Sequence, residues 1–178
     1  MKKALFTHFL FLLAYFIFIA LFKKWIDLKY LPFLFGGVLG ILLPELDRLF
    51  YVYLQKPSEQ ISQRVSQTVD KRDWKGSLAL LSQASPGVNL IFHTIFFQIF
   101  FLILTFWVVT SSGNVFGMGI VLAFSLHLFI DQVTDYVEKG SIDNWFRNLP
   151  IDINLDREEK RWYLIGVLVV LLIFGFLL

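Results

Sequence analysis

Long apolar segments, separated by shorter polar ones, run along most of the chain. A helix of about 20 apolar residues, rising 1.5 Å per residue, spans the roughly 30 Å hydrocarbon core of a bilayer. The segments that approach or meet this length are residues 4–22, 31–54, 89–110, 115–137 and 159–178. We therefore predict an all-α fold, a polytopic membrane helical bundle of about five transmembrane helices that forms a single membrane domain over residues 1–178.

The polar segment 55–88 lies between the second and third predicted spans and carries helical signals of its own. Ile61, Val65 and Val69 repeat at intervals of four, which places an apolar stripe along one side of a polar helix. Cations and a tryptophan follow the stripe, a combination suited to anionic lipid headgroups. We predict a cytoplasmic helical hairpin over residues 58–83, and a solvated linker helix is the alternative.

The second predicted span contains two glycines and a proline with distinct consequences. Gly36 and Gly40 form a small-xxx-small pair that lets a neighbouring helix approach closely. The link over residues 111–114 is short, so the third and fourth spans should form an antiparallel hairpin that packs on this glycine face. Pro44 leaves the carbonyl of Gly40 without its helical partner, so we expect a kink or a break there.

Composition excludes a soluble domain. Hydrophobic residues make up 57% and charged residues 17% of the 178 residues, whereas soluble domains carry about a quarter charged residues. The net charge of +2 is too small to indicate nucleic-acid binding, so membrane lipids are the expected surroundings. The absence of cysteine excludes disulfides and thiolate metal ligands, which leaves histidine and carboxylate as donors.

Lysine and arginine are concentrated on one side of a five-span bundle: at the first residues, in segment 55–88 and after the fourth span. The positive-inside rule places this side, with the N-terminus, in the cytoplasm. The first span is longer than the apolar region of a signal peptide, roughly 7–15 residues, so we expect it to be retained. Its His8, a lone histidine near an interface, is expected to be a satisfied or solvated side chain rather than a ligand.

Ionisable side chains interrupt three of the apolar spans, where they cost free energy and usually serve a function. In chain order they are Glu45, Asp47, His93, His127, Asp131 and Asp135. His127 and Asp131 are four residues apart, so on a helix they lie on one face and can reach one ion. Counting helical rise in the predicted orientation, all six lie within roughly 5–16 Å of the cytoplasmic boundary. A metal held by imidazole and carboxylate needs such convergence, and a structural His/Asp pair is the alternative.

These residues resemble the motifs of a known family. The segments Leu43 to Arg48, His93-Thr94 and Leu126 to Asp131 resemble, in order and rough spacing, the YdjM-type membrane-bound metal-dependent hydrolases. The resemblance implies a multi-pass protein of a bacterial cytoplasmic membrane. It also implies metal ligands at Asp47, His93, His127 and Asp131, which should then converge near one point. Glu45 stands where the family has its first aspartate.

Two parts of the chain depart from the family's pattern. Arg48 replaces the histidine that follows the second acidic residue, and the middle segment keeps one of its two histidines. If His93 matches the first of these, Gln98 occupies the place of the second. If His93 and Thr94 instead match the histidine and serine that end the family's middle segment, the first histidine of that segment is missing. In either alignment the site has fewer imidazoles than the family's.

Two functions from different classes follow. In the first, a divalent ion (zinc, manganese or magnesium) activates water against a phosphoester or similar bond in a lipid-like substrate from the inner leaflet. Glu45 or Asp135 would serve as the general base. In the second, a non-enzymatic membrane bundle uses the polar layer for packing or for binding an ion or proton, or recruits a partner through residues 55–88. A transporter-like role is a third alternative.

Overall fold

The structure is a computed structural model that describes residues 2–83, 90–147 and 155–178. Every regular element in these residues is a helix. The α-helices are α1 Lys2–Lys23, α2 Leu31–Leu42, α3 Leu46–Phe50, α4 Gln60–Asp70, α5 Trp74–Gln83, α6 Ile95–Ser111, α7 Val115–Lys139, α8 Asp143–Phe146 and α9 Arg157–Leu177. The predicted all-α class is confirmed over these residues. The predicted start of the third span, at residue 89, lies outside them.

Three helices of the described residues are long and apolar enough to cross a membrane, where the sequence predicted five spans. They are Leu5–Lys23 within α1, and α7 and α9 over their whole lengths. The third predicted span is shorter than expected because the side chain of Thr94 accepts a hydrogen bond from the amide of Phe97 and starts α6 there. The second is divided into shorter helical pieces.

The division of the second predicted span begins at Pro44, as expected. A 3-10 turn over Leu43–Glu45 follows α2, and α3 passes into a π turn over Tyr51–Gln55. A 3-10 turn bonds each amide to the carbonyl three residues back instead of four. The carbonyl of Ile41, which an unbroken α-helix would pair with the amide of residue 45, is thereby released for another donor.

The central helix of the fold is α7. Most of its residues from Met118 to Gln132 are buried, whereas α1 and α9 direct many apolar side chains outward. Exposed phenylalanine and leucine on α1 suit a lipid environment, since lipid chains solvate apolar groups. Among the described residues, the buried polar side chains include Ser125, His127 and Gln132 of α7.

The closest helix crossing joins α2 to α7. A Cβ added to Gly36 would lie 2.1 Å from the carbonyl oxygen of Phe116, and one added to Gly40 would lie 2.2 Å from that of Ile120. A Cβ added to Gly119 of α7 would lie equally close to the backbone of α2, 2.2 Å from the carbonyl oxygen of Phe33. The predicted packing of the hairpin against the glycine face is confirmed for the second helix of that hairpin, α7.

The polar segment forms the predicted hairpin, with α4 and α5 as its two helices. Val65 of the apolar stripe is fully buried and packs with Tyr51, Val52, Leu81 and Leu90. Glu59, just before α4, accepts hydrogen bonds from the Tyr51 hydroxyl and from Lys56. These two bonds hold the pKa of Glu59 below its usual value. The hairpin is thus packed on the end of the bundle and is not a free linker.

We expect Gly40→Val to destabilise the protein by about 1–3 kcal/mol or more, because the added side chain meets backbone that cannot rotate away. Thermal unfolding in detergent measures the effect. Gly166→Val on α9 is the matched control, since nothing lies within 4 Å of a Cβ added there. Equal melting temperatures for the two variants would show that α2 and α7 do not cross at this glycine.

Candidate metal site

One carboxylate, Asp131 on α7, lies at the centre of the site. Its Oδ1 is 3.0 Å from Nε2 of His8, and its Oδ2 is 3.0 Å from Nε2 of His93 and 3.1 Å from Nε2 of His127. The chain has three histidines, so all of them meet at this one side chain. They come from α1, from the segment before α6 and from α7 itself.

His127 is oriented by a backbone carbonyl. Its Nδ1 lies 2.6 Å from the carbonyl oxygen of Ile41, the group that the 3-10 turn releases. A carbonyl only accepts, so Nδ1 carries the proton, and in a neutral imidazole Nε2 then has a free lone pair. Because Nε2 also lies 3.1 Å from Oδ2 of Asp131, either a second proton or a shared cation lies between these two atoms. Metal-ligating histidines in proteins are held in this way, with the second ring nitrogen donating to a carbonyl or carboxylate.

His8 belongs to the same site, although the sequence analysis expected a satisfied or solvated side chain. It is 3% exposed, and its ring lies over that of His127 with 4.1 Å between the centroids. A signal for it was present in the sequence. In the predicted orientation, residue 8 lies near the cytoplasmic end of the first span, in the layer that holds the other ionisable groups.

His93 links two carboxylates. Its Nδ1 is 3.0 Å from Oδ2 of Asp47, and its Nε2 is 3.0 Å from Oδ2 of Asp131. Ionised carboxylates only accept hydrogen bonds, so this arrangement requires a proton on both ring nitrogens. His93 therefore lies between Asp47 and Asp131 as an imidazolium, which offsets one of the two negative charges.

Asp47 supports this bridge from α3. Its carboxylate is buried and accepts hydrogen bonds from the amides of Ile91 at 3.1 Å and Phe92 at 2.6 Å, besides its contact with His93. These amides belong to the non-helical segment that leads into α6. Asp47 thus fixes the position of His93 and does not itself touch the Asp131 side of the site.

The donors that could share one ion are those of His8, His127 and Asp131, which lie within 4.8 Å of one another. Ligand atoms at 2.0–2.2 Å from a metal are roughly 3–3.6 Å apart, close to the nitrogen–oxygen separations around Asp131. Of the four ligands that the resemblance implies, His127 and Asp131 are in this group. Asp47 and His93 form the neighbouring bridge instead.

The remaining predicted residues lie around this centre. Glu45 forms an ion pair with Arg48 at 3.4 Å, and among the described residues Arg48 forms none with Asp47 or Asp131. Asp135 accepts hydrogen bonds from Lys139 and, at 3.0 Å, from the indole of Trp145. The guanidinium therefore does not occupy the centre of the site.

Gln98, which one of the two alignments would place opposite a family histidine, has a different environment. Its side-chain amide pairs with that of Gln132 through hydrogen bonds of 2.7 and 3.0 Å, and the hydroxyl of Tyr163 contacts both. Both amides are buried, and each donates to and accepts from the other. This pair joins α6, α7 and α9 and contributes no ligand to Asp131.

A polar cleft of about 190 Å³ leads to the site. His93 and Asp131 line it together with three cations, Arg48, Lys139 and Arg147. Asp131 is about one quarter exposed, so a small ion can reach it from the cleft. These cations outnumber the two carboxylates of the lining, Asp131 and Asp135, and the excess of positive charge favours an anionic ligand.

Helix α8 forms one wall of this cleft. Its Trp145 is buried and lies 5.5 Å from the ring of His93. An ion pair of 2.7 Å between Lys160 and Asp143 ties α8 to α9. Together with a hydrogen bond from Ser141, this ion pair lowers the pKa of Asp143 below its ordinary value.

No protein-family model, curated protein or solved structure matches the chain. The similarity to the YdjM-type hydrolases therefore stays a prediction that rests on three short motifs.

We expect Asp47→Asn to lower stability by about 1–3 kcal/mol while metal retention persists, because Asp47 holds His93 and backbone amides but lies outside the donor group. Thermal unfolding and metal content per chain measure the two effects. Loss of metal at unchanged stability would make Asp47 a ligand, as the resemblance implies, and would contradict the arrangement described above.

Proposed function

We propose that the chain is a membrane-embedded metal-dependent hydrolase whose ion is held by His8, His127 and Asp131. The observation that carries this proposal is the orientation of His127. With Nδ1 bonded to the carbonyl of Ile41, its Nε2 lone pair faces an anionic oxygen 3.1 Å away, and two acceptors at that distance repel unless a cation or proton lies between them. A shared ion removes the conflict.

Charge supports a cation at this place. With His93 protonated and the other two histidines neutral, the two carboxylates leave the site with one net negative charge. Two imidazoles and one carboxylate suit zinc or manganese better than magnesium, which prefers oxygen ligands. Three protein ligands leave a coordination position open, as in catalytic zinc sites. A divalent ion bound there supplies Lewis acidity for hydrolysis.

The residues of the cleft supply the other parts of the reaction. We infer that Arg48, Lys139 and Arg147 attract the oxygens of a phosphoester, since guanidinium and ammonium groups make charge-assisted bonds to phosphate. Asp135 lies one turn beyond Asp131 and lines the same cleft, so it is the carboxylate placed to take a proton from water. The water oxygen bonds to phosphorus, the ester bond breaks, and Asp135 returns the proton to the leaving alcohol. Glu45, the other candidate base, lines a different cavity and not this cleft.

The membrane arrangement that we propose keeps five crossings. Helix α6, an apolar helix of 17 residues, and the helical pieces from Leu31 to Gln55 add two crossings to the three long helices. The distribution of lysine and arginine places the N-terminus and the hairpin of α4 and α5 in the cytoplasm. The cleft then opens toward the cytoplasmic leaflet, where a lipid-like substrate would enter.

The topology is testable because the chain has no cysteine of its own. With single cysteines, we expect Lys29→Cys and Ser112→Cys to react with an impermeant thiol reagent outside the membrane. Gln67→Cys on α4 should react only after the membrane is permeabilised. Labelling of Lys29 and Gln67 positions from the same side would rule out a crossing by the second segment and with it the five-span arrangement.

We expect the purified protein to retain about one zinc or manganese per chain. His8→Ala, His127→Ala and Asp131→Asn should each abolish that retention, because each removes a ligand or the charge that holds the ion. Glu138→Gln is the matched control for Asp131→Asn, an exposed acid on the same helix. Elemental analysis after dialysis against a weak chelator gives the content. Equal metal in Asp131→Asn and Glu138→Gln would place any bound ion elsewhere.

A second candidate function is a structural polar layer, and the bridge through His93 favours it. His93 already joins both carboxylates, and a proton on His8 would neutralise the rest without a metal. In that case the wild-type protein retains no ion. Asp131→Asn then lowers stability strongly, because the histidines lose the charge that they surround.

A further inference from the structure

A second cavity lies on the far side of Arg48 from the metal site. It is an apolar groove of about 400 Å³ bounded by α1, by the break after α2 with α3, and by α5. Its apolar lining includes Leu5, Leu46, Leu49, Trp74, Leu78 and Leu81. Leu49 and Leu78 are roughly two fifths to half exposed, at 38% and 49%, so the groove is open along its length.

Arg48 lines both the apolar groove and the polar cleft. Its Nε is buried and, among the described residues, has no hydrogen-bond partner, although a carboxylate oxygen of Glu45 lies 3.4 Å away. A buried donor without an acceptor is costly, so a ligand that brings an anionic oxygen to this place gains binding free energy.

We propose that the substrate is an anionic phospholipid, with its phosphate at Arg48 and one acyl chain in the apolar groove. The inference rests on the proposed function, whose substrate class it names. Two observations select this occupant: the groove is lined almost entirely by apolar side chains, and the cleft that adjoins it carries three cations. A ligand that fills both needs an apolar chain joined to a negative head, and a phosphate beside Arg48 would lie in the cleft that Asp131 also lines.

Helix α5 supports this placement. Trp74 and Leu78 belong to the hairpin that packs on the end of the bundle, and α1, on the other wall, is one of the three helices able to cross a membrane. The groove therefore begins at the membrane surface, where a tryptophan side chain is favoured, and extends along apolar residues. An acyl chain can enter it sideways from the bilayer.

The test is lipid retention by the full-length protein in detergent, measured by native mass spectrometry. The probes are dioleoyl phosphatidic acid, dioleoylglycerol, which has the same chains without the phosphate, and inorganic phosphate as a competitor. We expect phosphatidic acid to be retained about tenfold better than dioleoylglycerol, since the phosphate gains charge-assisted bonds. Inorganic phosphate should displace it only weakly, because phosphate alone cannot fill the groove.

Variants separate the two halves of the site. Arg48→Gln should reduce the retention of phosphatidic acid about tenfold and bring it near that of dioleoylglycerol. Leu78→Trp should reduce retention of both lipids by filling the groove. Ile103→Trp is the matched control, since it lies on α6 away from the groove and is similarly exposed, and it should bind as the wild type does. Circular dichroism and thermal unfolding check that each variant is folded.

Equal retention of the two lipids by wild-type protein would overturn the headgroup assignment, and unchanged binding in a folded Leu78→Trp would overturn the groove. Full displacement by inorganic phosphate would mean a site for free phosphate and would also overturn the proposal. Metal content, measured on the same samples, distinguishes the two levels. If the protein binds metal but retains both lipids equally, the lipid assignment is wrong and the hydrolase proposal is unaffected. If it selects phosphatidic acid but binds no metal, the lipid site is supported and the hydrolase proposal is wrong.

Discussion

The carboxylate of Asp131 is the group on which the arrangement of the helices depends. A negative charge within an apolar helix is costly unless charged or polar partners surround it. Here the partners are the three histidines of the chain, at 3.0–3.1 Å. A hydrogen bond to a charged group contributes about 1.5–3 kcal/mol, so the bond from the protonated His93 is strong enough to hold the start of α6 against α7. His8 fixes α1, and His93 fixes the start of α6.

The contact of His127 with Asp131 depends on two features, the glycines of α2 and the turn that follows this helix. The glycines at Gly36 and Gly40 let the backbone of α2 approach α7 closely, and the 3-10 turn at Pro44 releases the carbonyl of Ile41. Close approach alone would leave that carbonyl bonded within its own helix. The turn alone would leave it too far from α7 to accept from His127. With both, the ring of His127 is held in the orientation that directs Nε2 at Asp131.

Much of this could be predicted from local pattern. The helical segments, the break at Pro44, the glycine face and the pairing of His127 with Asp131 all follow from spacing along one or two helices. The number of helices long enough to cross a membrane did not, because the start of α6 depends on the cap at Thr94, and the apolar run alone suggests a longer helix. The bridge from Asp47 to His93 requires the backbone of a non-helical segment, whose course no periodicity indicates. Spacing along the chain does not single out His8. Its depth in the bundle is the feature that places it beside the other two histidines.

The central claim is that His127 is a neutral imidazole with a free Nε2 directed at a shared ion, while His93 is a doubly protonated bridge. Nitrogen-15 NMR of histidine-labelled protein tests it directly, since the chain has three histidines and single variants assign their signals. We expect His127 to show a proton on Nδ1 and an Nε2 resonance that shifts, together with that of His8, when zinc is added to metal-free protein. His93 should keep two protons throughout. A His127 that is protonated on both nitrogens and unchanged by zinc would contradict the account.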